Sequence, residues 1–187
     1  MIHLPVGFDC SAASSLRQSG LRERAYPFDW NILDIGSIEL FFRNKGVGFL
    51  EKENLEISKK MYTHKYENQG QKDQKLFPVL DYVHGILFVH DYKSDLKDIE
   101  EVKSKYRKRI NNLFHELEKT SGDVTLYYDF KNQKQKTQVL QNWQSYFKRN
   151  LNDVFVKGSI ESLREELQKL YPNQNFIICN SKQLKSK

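Results

Sequence analysis

The feature that most constrains this chain is an unbroken succession in its second half: a strand-like run, a long helical pattern and another strand-like run. Gly85-Ile86-Leu87-Phe88-Val89 is a short, continuous apolar run, as expected of a strand buried on both faces. Leu96, Ile99, Val102, Tyr106, Ile110, Leu113, Phe114 and Leu117 then recur at helical spacing, and Ser121-Gly122-Asp123 ends the helix. Val124-Thr125-Leu126-Tyr127-Tyr128 reads as the next strand. Val139, Leu140, Trp143, Tyr146 and Phe147 mark another helix, and Ser159 caps one more through Ile160, Leu163, Leu167 and Leu170. Pro172-Asn173 turns the chain into a last strand, Asn175 to Cys179. Strands separated by helices of this length are joined by crossovers, which parallel pairing requires. The prediction is an α/β fold: a single three-layer domain with a largely parallel sheet and helices on both faces.

The first half fits the same scheme less completely. Ile2 to Phe8 reads as a strand entering a tight turn at Gly7-Phe8-Asp9. Cys10 to Arg17 reads as a helix, with Asp9 or Ser11 as its cap, Gly20 as C′ glycine and Leu21 at C″. Tyr26-Pro27-Phe28-Asp29-Trp30 is a loop that buries its aromatics. A second helix is predicted from Ser37, with Ile38, Phe41 and Phe42 on one face and Gly46 at its end. Residues 51–81 are polar and irregular and read as an insertion or flap, and the lysine- and serine-rich end reads as a disordered tail from about residue 181.

Composition narrows the class of protein. At 187 residues, with 39% hydrophobic and 13% aromatic residues, the chain suits one domain with a substantial core. It has no run of about 18 apolar residues, and its N-terminus does not resemble a secretory signal, so a cytoplasmic location is expected and no membrane association. The two cysteines, Cys10 and Cys179, are expected as reduced thiols. No Cys-x-x-Cys or paired Cys/His spacing suggests zinc, and no cofactor is expected. The net charge of +6 is spread over lysines that alternate with acids, the pattern of solvated helix faces. Nucleic acid is the least favoured partner, because no helix-turn-helix, RNP, KH or zinc module is visible.

Two reactive side chains fall at the C-terminal ends of predicted strands, where α/β folds gather function: Cys10 after the first strand and His90 after Val89. A thiol in the first turn of a helix meets the positive end of the dipole and unpaired amides, which favour thiolate. A neighbouring imidazole would complete a nucleophilic pair, and the amides around Cys10 and Ser11 would hold an oxyanion. The other reading of Cys10 is a small buried packing residue. Arg17 and Arg22 either hold an anionic substrate group or, in one case, pair with Asp29 beneath the Phe28–Trp30 loop. Trp30 and Tyr92 either line a cleft or fill the core. His3, His64, His84 and His115 carry no comparable context.

Gly7-Phe8-Asp9-Cys10-Ser11-Ala12-Ala13, Leu16-Arg17, Gly20-Leu21-Arg22 and Tyr26-Pro27-Phe28-Asp29-Trp30 resemble the opening of a bacterial family described as papain-like cysteine peptidases and otherwise of unknown function. Phe88-Val89-His90-Asp91-Tyr92 and Tyr106-Arg107-Lys108-Arg109-Ile110 are similar to its later signatures, so the resemblance spans roughly residues 4 to 114. It implies a Cys10 nucleophile and a His90 base, with Asp91 or Asp29 as the orienting acid. The family's paired arginine is Lys108-Arg109 here, which leaves Arg109 for an anion contact, and the glutamine that often follows the cysteine is Ser11. The resemblance offers an α+β, papain-like fold as the alternative architecture. The function it implies is a cysteine-nucleophile hydrolase or acyltransferase acting on an amide or ester of a small molecule, peptide or glycan. The alternative is a non-catalytic binding or polysaccharide-biosynthesis accessory domain. The sequence assigns no oligomeric state.

Overall fold

The computed structural model describes residues 1–65 and 72–186, and within them the strands form two sheets rather than one. Strands β1 (Ile2–Pro5), β7 (Gly122–Tyr128) and β8 (Gln174–Asn180) make a parallel sheet in the order β1-β7-β8. Leu4 lies opposite Leu126, and Val124 opposite Phe176. Strands β2 (Asn31–Leu33), β6 (Ile86–Tyr92), β5 (Gln74–Asp81) and β3 (Leu55–Ile57) make an antiparallel sheet in that order, with β4 (Tyr62–His64) also paired to β5. The fold is mixed α/β, and the expected largely parallel sheet is corrected to a parallel trio beside an antiparallel sheet. The reason is local. β5 and β6 are joined by the short turn 82–85, and a connection that short permits only antiparallel pairing.

The polar stretch 51–81, expected as an insertion or flap, supplies β3, β4 and β5, while residues 66–71 within it lie outside the described residues. β5 escapes a strand reading because Pro78 interrupts it, and proline removes a ladder donor. The ladder adapts: Phe77 pairs with Tyr92 but Val79 with Phe88, so β6 carries extra residues opposite the proline. Residues Ser181–Ser186 form a 3-10 helix packed on α1 (Ser11–Gln18), and Ser181 is buried.

One core joins the sheets. Leu4, Val124 and Leu126 from the parallel sheet meet Val79, Ile86 and Phe88 from the antiparallel one. Around them pack Ile38, Phe41 and Phe42 of α2 (Ile35–Arg43), Val102, Tyr106 and Leu113 of α3 (Ile99–Lys119), and Leu163 and Leu167 of α6 (Ile160–Leu170). Phe41 stacks on Phe114 and meets Phe28 edge-on, so the predicted aromatic loop does bury Phe28. On the opposite face of the antiparallel sheet, Phe8, Ile32, Leu80, Leu87 and Val89 pack against Leu140 of α4 (Gln133–Gln144), Leu151 of α5 (Leu151–Val154), Phe147 and Phe155. The run Ile86–Val89 is continuously apolar because both of its faces are covered. No helix among the described residues is long and apolar enough to cross a membrane.

The segment after β1 ties the sheets together. Val6 N–H donates to the Tyr127 carbonyl (2.9 Å), keeping to the parallel sheet, while the Phe8 carbonyl accepts from Leu33 N–H (3.1 Å), at the end of β2. Gly7 sits at the crossing. A Cβ there would run into Asp129 Oδ1 and come within 2.9 Å of the Ala12 Cβ. At the other end of α1, Gly20 adopts φ +73° and donates to the Arg17 carbonyl, while Leu21 N–H donates to Leu16, the Schellman arrangement foreseen from Gly20-Leu21.

The β5–β6 turn is closed by a buried ion pair. Asp81 accepts from the backbone of Val83 and His84 through Oδ1 (3.2 and 3.0 Å), from His84 Nδ1 through Oδ2 (2.9 Å), and from Leu50 N–H (3.3 Å). The hydrogen bond that the His84 ring donates to Asp81 raises the His84 pKa above its usual value, against the opposing effect of burial, and a further bond to the Val47 backbone adds to the rise.

Two stability predictions follow from these contacts. Gly7→Ala, whose Cβ has no room beside Asp129 and Ala12, should lower stability by about 1–3 kcal/mol in urea denaturation. His84→Gln should cost about 3 kcal/mol near pH 6, because it leaves Asp81 buried without its cation. A group whose folded pKa is raised stabilises the protein fully below its unfolded pKa and loses that contribution as pH rises through the folded value. The Tm difference between wild type and His84→Gln should therefore shrink from pH 6 toward pH 9.

Candidate active site

The parallel pairing of β1 with β7 brings the turn before α1 beside the residues that follow β7. Asp129, 1% exposed, accepts from Phe8 N–H through Oδ1 (2.8 Å) and from Lys131 Nζ through Oδ2 (2.5 Å). The same ammonium lies 3.3 Å from Asp9 Oδ2 and 3.4 Å from Ser11 Oγ. Asp9 Oδ1 accepts from both the amide and the hydroxyl of Ser11 (3.0 and 2.6 Å); the N-cap position itself is taken by Cys10, without a side-chain bond, rather than by Asp9 or Ser11. Cys10 stands at the head of α1, its carbonyl accepting from Ser14 N–H (2.9 Å) and its thiol half-buried.

The electrostatics of Cys10 reverse the expectation drawn from the helix dipole. Burial first, and then the Asp9 carboxylate, push the thiol pKa up; its own backbone N–H and Lys131 only partly offset this. The Ser11 amide, expected to face an oxyanion, already donates to Asp9. A carboxylate thus uses the positive end of the helix that would otherwise favour thiolate. The resting group is a protonated thiol.

His90 lies on β6 in the stretch where the ladder with β5 slips. Its ring meets Trp30 edge-on, with centroids 6.4 Å apart, and His64 at 4.6 Å. Burial, followed by the neighbouring His64, lowers its pKa to about 4, with Asp91 acting in the opposite direction. It is a neutral imidazole at pH 7, and among the described residues no hydrogen bond commits its ring nitrogens. Beside it opens a polar cavity of about 280 Å³, bounded also by Asp91, Lys93, Asp98, Glu101 and Lys105.

Neither predicted orienting acid bonds to that imidazole. Asp91 accepts from Tyr106 Oη (2.8 Å) and pairs with Lys105, and Tyr106 Oη also lies 3.1 Å from Asn31 Oδ1. Asp29, 1% exposed, receives the Arg22 guanidinium and the Tyr26 amide on Oδ2 (the amide at 3.0 Å), while Oδ1 has no partner among the described residues. Burial raises the Asp29 pKa, opposed by Arg22, the Tyr26 amide and Arg109. The structural reading of Arg22 and Asp29 is the one the contacts show. Arg22 also covers the Trp30 ring at 5.6 Å, and so braces Trp30 against His90. Trp30 holds φ +67°, a left-handed conformation that costs an L-residue roughly 1–2 kcal/mol. Strain of this kind collects where a side chain must be aimed.

The remaining predicted contacts separate. Tyr92 is wholly buried against Phe88, so it fills the core and does not line a cleft, a correction that follows from both faces of β6 being covered. Arg109 packs over the Tyr106 ring at 5.1 Å, and Arg17 is exposed in the last turn of α1. No hydrogen bond joins the Cys10 sulfur to the His90 imidazole. The charges bearing most on Cys10 are Asp9, Lys131 and Asp129; those bearing on His90 are His64, Asp91 and Lys105.

Sequence reasoning missed Asp129, Lys131 and His64. The rule that singled out Cys10 and His90, position just past a strand's C-terminal end, applies equally to Asp129 after Tyr128. His64 lies in the polar stretch whose strands were not foreseen. Among the described residues no group of three or more His, Cys, Asp or Glu is arranged to hold a metal ion.

No curated protein and no solved structure matches the chain. Residues 3–157, which include the Cys10 turn, Trp30, His64, His90, Asp129 and Lys131, match the model of one family. By that match the chain belongs to the family described as "Putative papain-like cysteine peptidase (DUF1796)".

Proposed function

We propose that the protein is a cysteine-nucleophile hydrolase or acyltransferase acting on an amide or ester, with Cys10 as nucleophile and His90 as general base. The observation that carries this reading is the fixed turn of Cys10. Its half-buried thiol heads a helix whose preceding loop is held by Asp129, Asp9 and Lys131. His90 supports it as an imidazole that is neutral at pH 7 and makes no hydrogen bond to the other described residues.

In the acylation step, Cys10 Sγ bonds to the acyl carbon, its proton passes to His90, and the amine or alcohol leaves with that proton. Water or an acceptor hydroxyl or amine then attacks the thioester, and Cys10 leaves as the restored thiol. The groups must approach within hydrogen-bond reach when substrate binds, a tightening that apo sites commonly require. The polar cavity beside His90 suits a small polar leaving group or acceptor. Asp91 acts on His90 only through its charge, and Asp29 acts through Arg22 and Trp30.

Because the thiol pKa is raised and that of His90 is lowered to about 4, the Cys10 thiol and the His90 imidazole are both uncharged at pH 7. Turnover should hold down to about pH 5 without an imidazolium limb and increase toward alkaline pH as the thiol ionises. With an activated acyl ester, Cys10→Ala should fall to background and His90→Gln should lose about a hundredfold or more in kcat. A Cys10→Ala protein that cleaved the ester at the wild-type rate would overturn the proposal. A second reading, a non-catalytic binding domain, is favoured by the missing Cys10–His90 hydrogen bond. Its signature is a Cys10 that resists iodoacetamide even at pH 9 and no ester turnover at any pH.

A further inference from the structure

We propose that Lys131, seated on Asp129, is a positioning residue of the nucleophile: its ammonium spans Asp129, Asp9 and Ser11 and thereby fixes both the Cys10 turn and the charge that the sulfur faces. This rests on the reading of Cys10 as the nucleophile.

Asp129 is buried at the end of β7, and its two oxygens divide their work: Oδ1 holds the Phe8 amide at 2.8 Å and Oδ2 holds Lys131 Nζ at 2.5 Å. Lys131 N–H donates to the Asp129 carbonyl (2.6 Å), which turns the chain back so that its ammonium also reaches Asp9 (3.3 Å) and the Ser11 hydroxyl (3.4 Å). Asp9 and Ser11 flank Cys10 in sequence, so one cation grips the turn on both sides of the nucleophile. Lys131 is only 17% exposed and stays protonated: burial opposes its charge, but the bonds to Asp129 and Asp9 outweigh burial and raise its pKa.

The charged groups facing the sulfur are Asp9 in the turn and Lys131 and Asp129 beyond β7. The two carboxylates disfavour thiolate and the ammonium favours it. Removing the ammonium leaves the thiol facing carboxylates alone. Removing the Asp9 charge leaves Lys131 with a single counterion and favours thiolate. Opposite shifts from two residues that grip the same turn are a signature that loss of structure does not produce.

The experiment is the pH dependence of iodoacetamide alkylation at Cys10, measured in a Cys179→Ser background so that one thiol reports, with circular dichroism to verify folding. The midpoint should move to higher pH in Lys131→Met, with the rate at a fixed pH below it falling about fivefold to tenfold. Lys131→Arg should restore most of the rate. Asp9→Asn should move the midpoint to lower pH, and because an asparagine Oδ1 can still accept from the Ser11 amide and hydroxyl, this variant tests the proposal even if Lys131→Met does not fold. Midpoints that stay at the wild-type value, or that move in the same direction in Lys131→Met and Asp9→Asn, would overturn the proposal. Alkylation needs no substrate, so these outcomes are independent of ester turnover, which tests the enzymatic reading itself.

Discussion

The hydrogen bond from Phe8 N–H to Asp129 is the contact on which the arrangement of the candidate site depends. β1 belongs to the parallel sheet, and three residues later the same chain lies beside β2 of the antiparallel sheet. Without an acceptor at the crossing, the Phe8 amide would be a buried, unpaired donor, which costs about 1–3 kcal/mol. Asp129 supplies that acceptor from the end of β7, and Gly7 gives it room. The direction in which α1 leaves the sheet, and hence the position of Cys10, follows from this one bond and the Leu33–Phe8 bond beside it.

The crossing also explains why the two candidate catalytic groups stand on different sheets. Cys10 follows a strand of the parallel sheet, whereas His90 is carried by the antiparallel one. Their surroundings differ accordingly. Cys10 is set among carboxylates with one compensating ammonium, and His90 is set among aromatic and imidazole rings. Burial neutralises both groups, one as thiol and the other as imidazole.

Around this frame, ion pairs fix loops. Arg22 with Asp29 braces Trp30, Lys105 with Asp91 and Tyr106 fastens the end of β6 to α3, and His84 with Asp81 closes the hairpin. Each pair has a buried or nearly buried carboxylate, so removing the cation leaves a charge that water cannot reach. Arg22 and Arg109, read from the sequence as substrate contacts, are thus engaged within the protein, on Asp29 and over the Tyr106 ring.

Periodicity and turn chemistry by themselves placed the longer helices and some of their ends. Ser159 accepts from the Ser162 amide as a cap should, Gly20 ends α1, and the apolar run Ile86–Val89 is a buried strand, because such signals are local and depend on spacing alone. The same sequence-level rule brought out Cys10 and His90. Strand direction and sheet membership were decided only in the tertiary structure. β5 conceals itself behind Pro78, and whether β6 pairs with β1 or β5 depends on a four-residue turn rather than on its own residues. Charge at Cys10 was likewise settled by distance in space. Asp129 and Lys131 lie about 120 positions away in the sequence, and no spacing within the Cys10 turn announces the carboxylate and ammonium that parallel pairing brings to it.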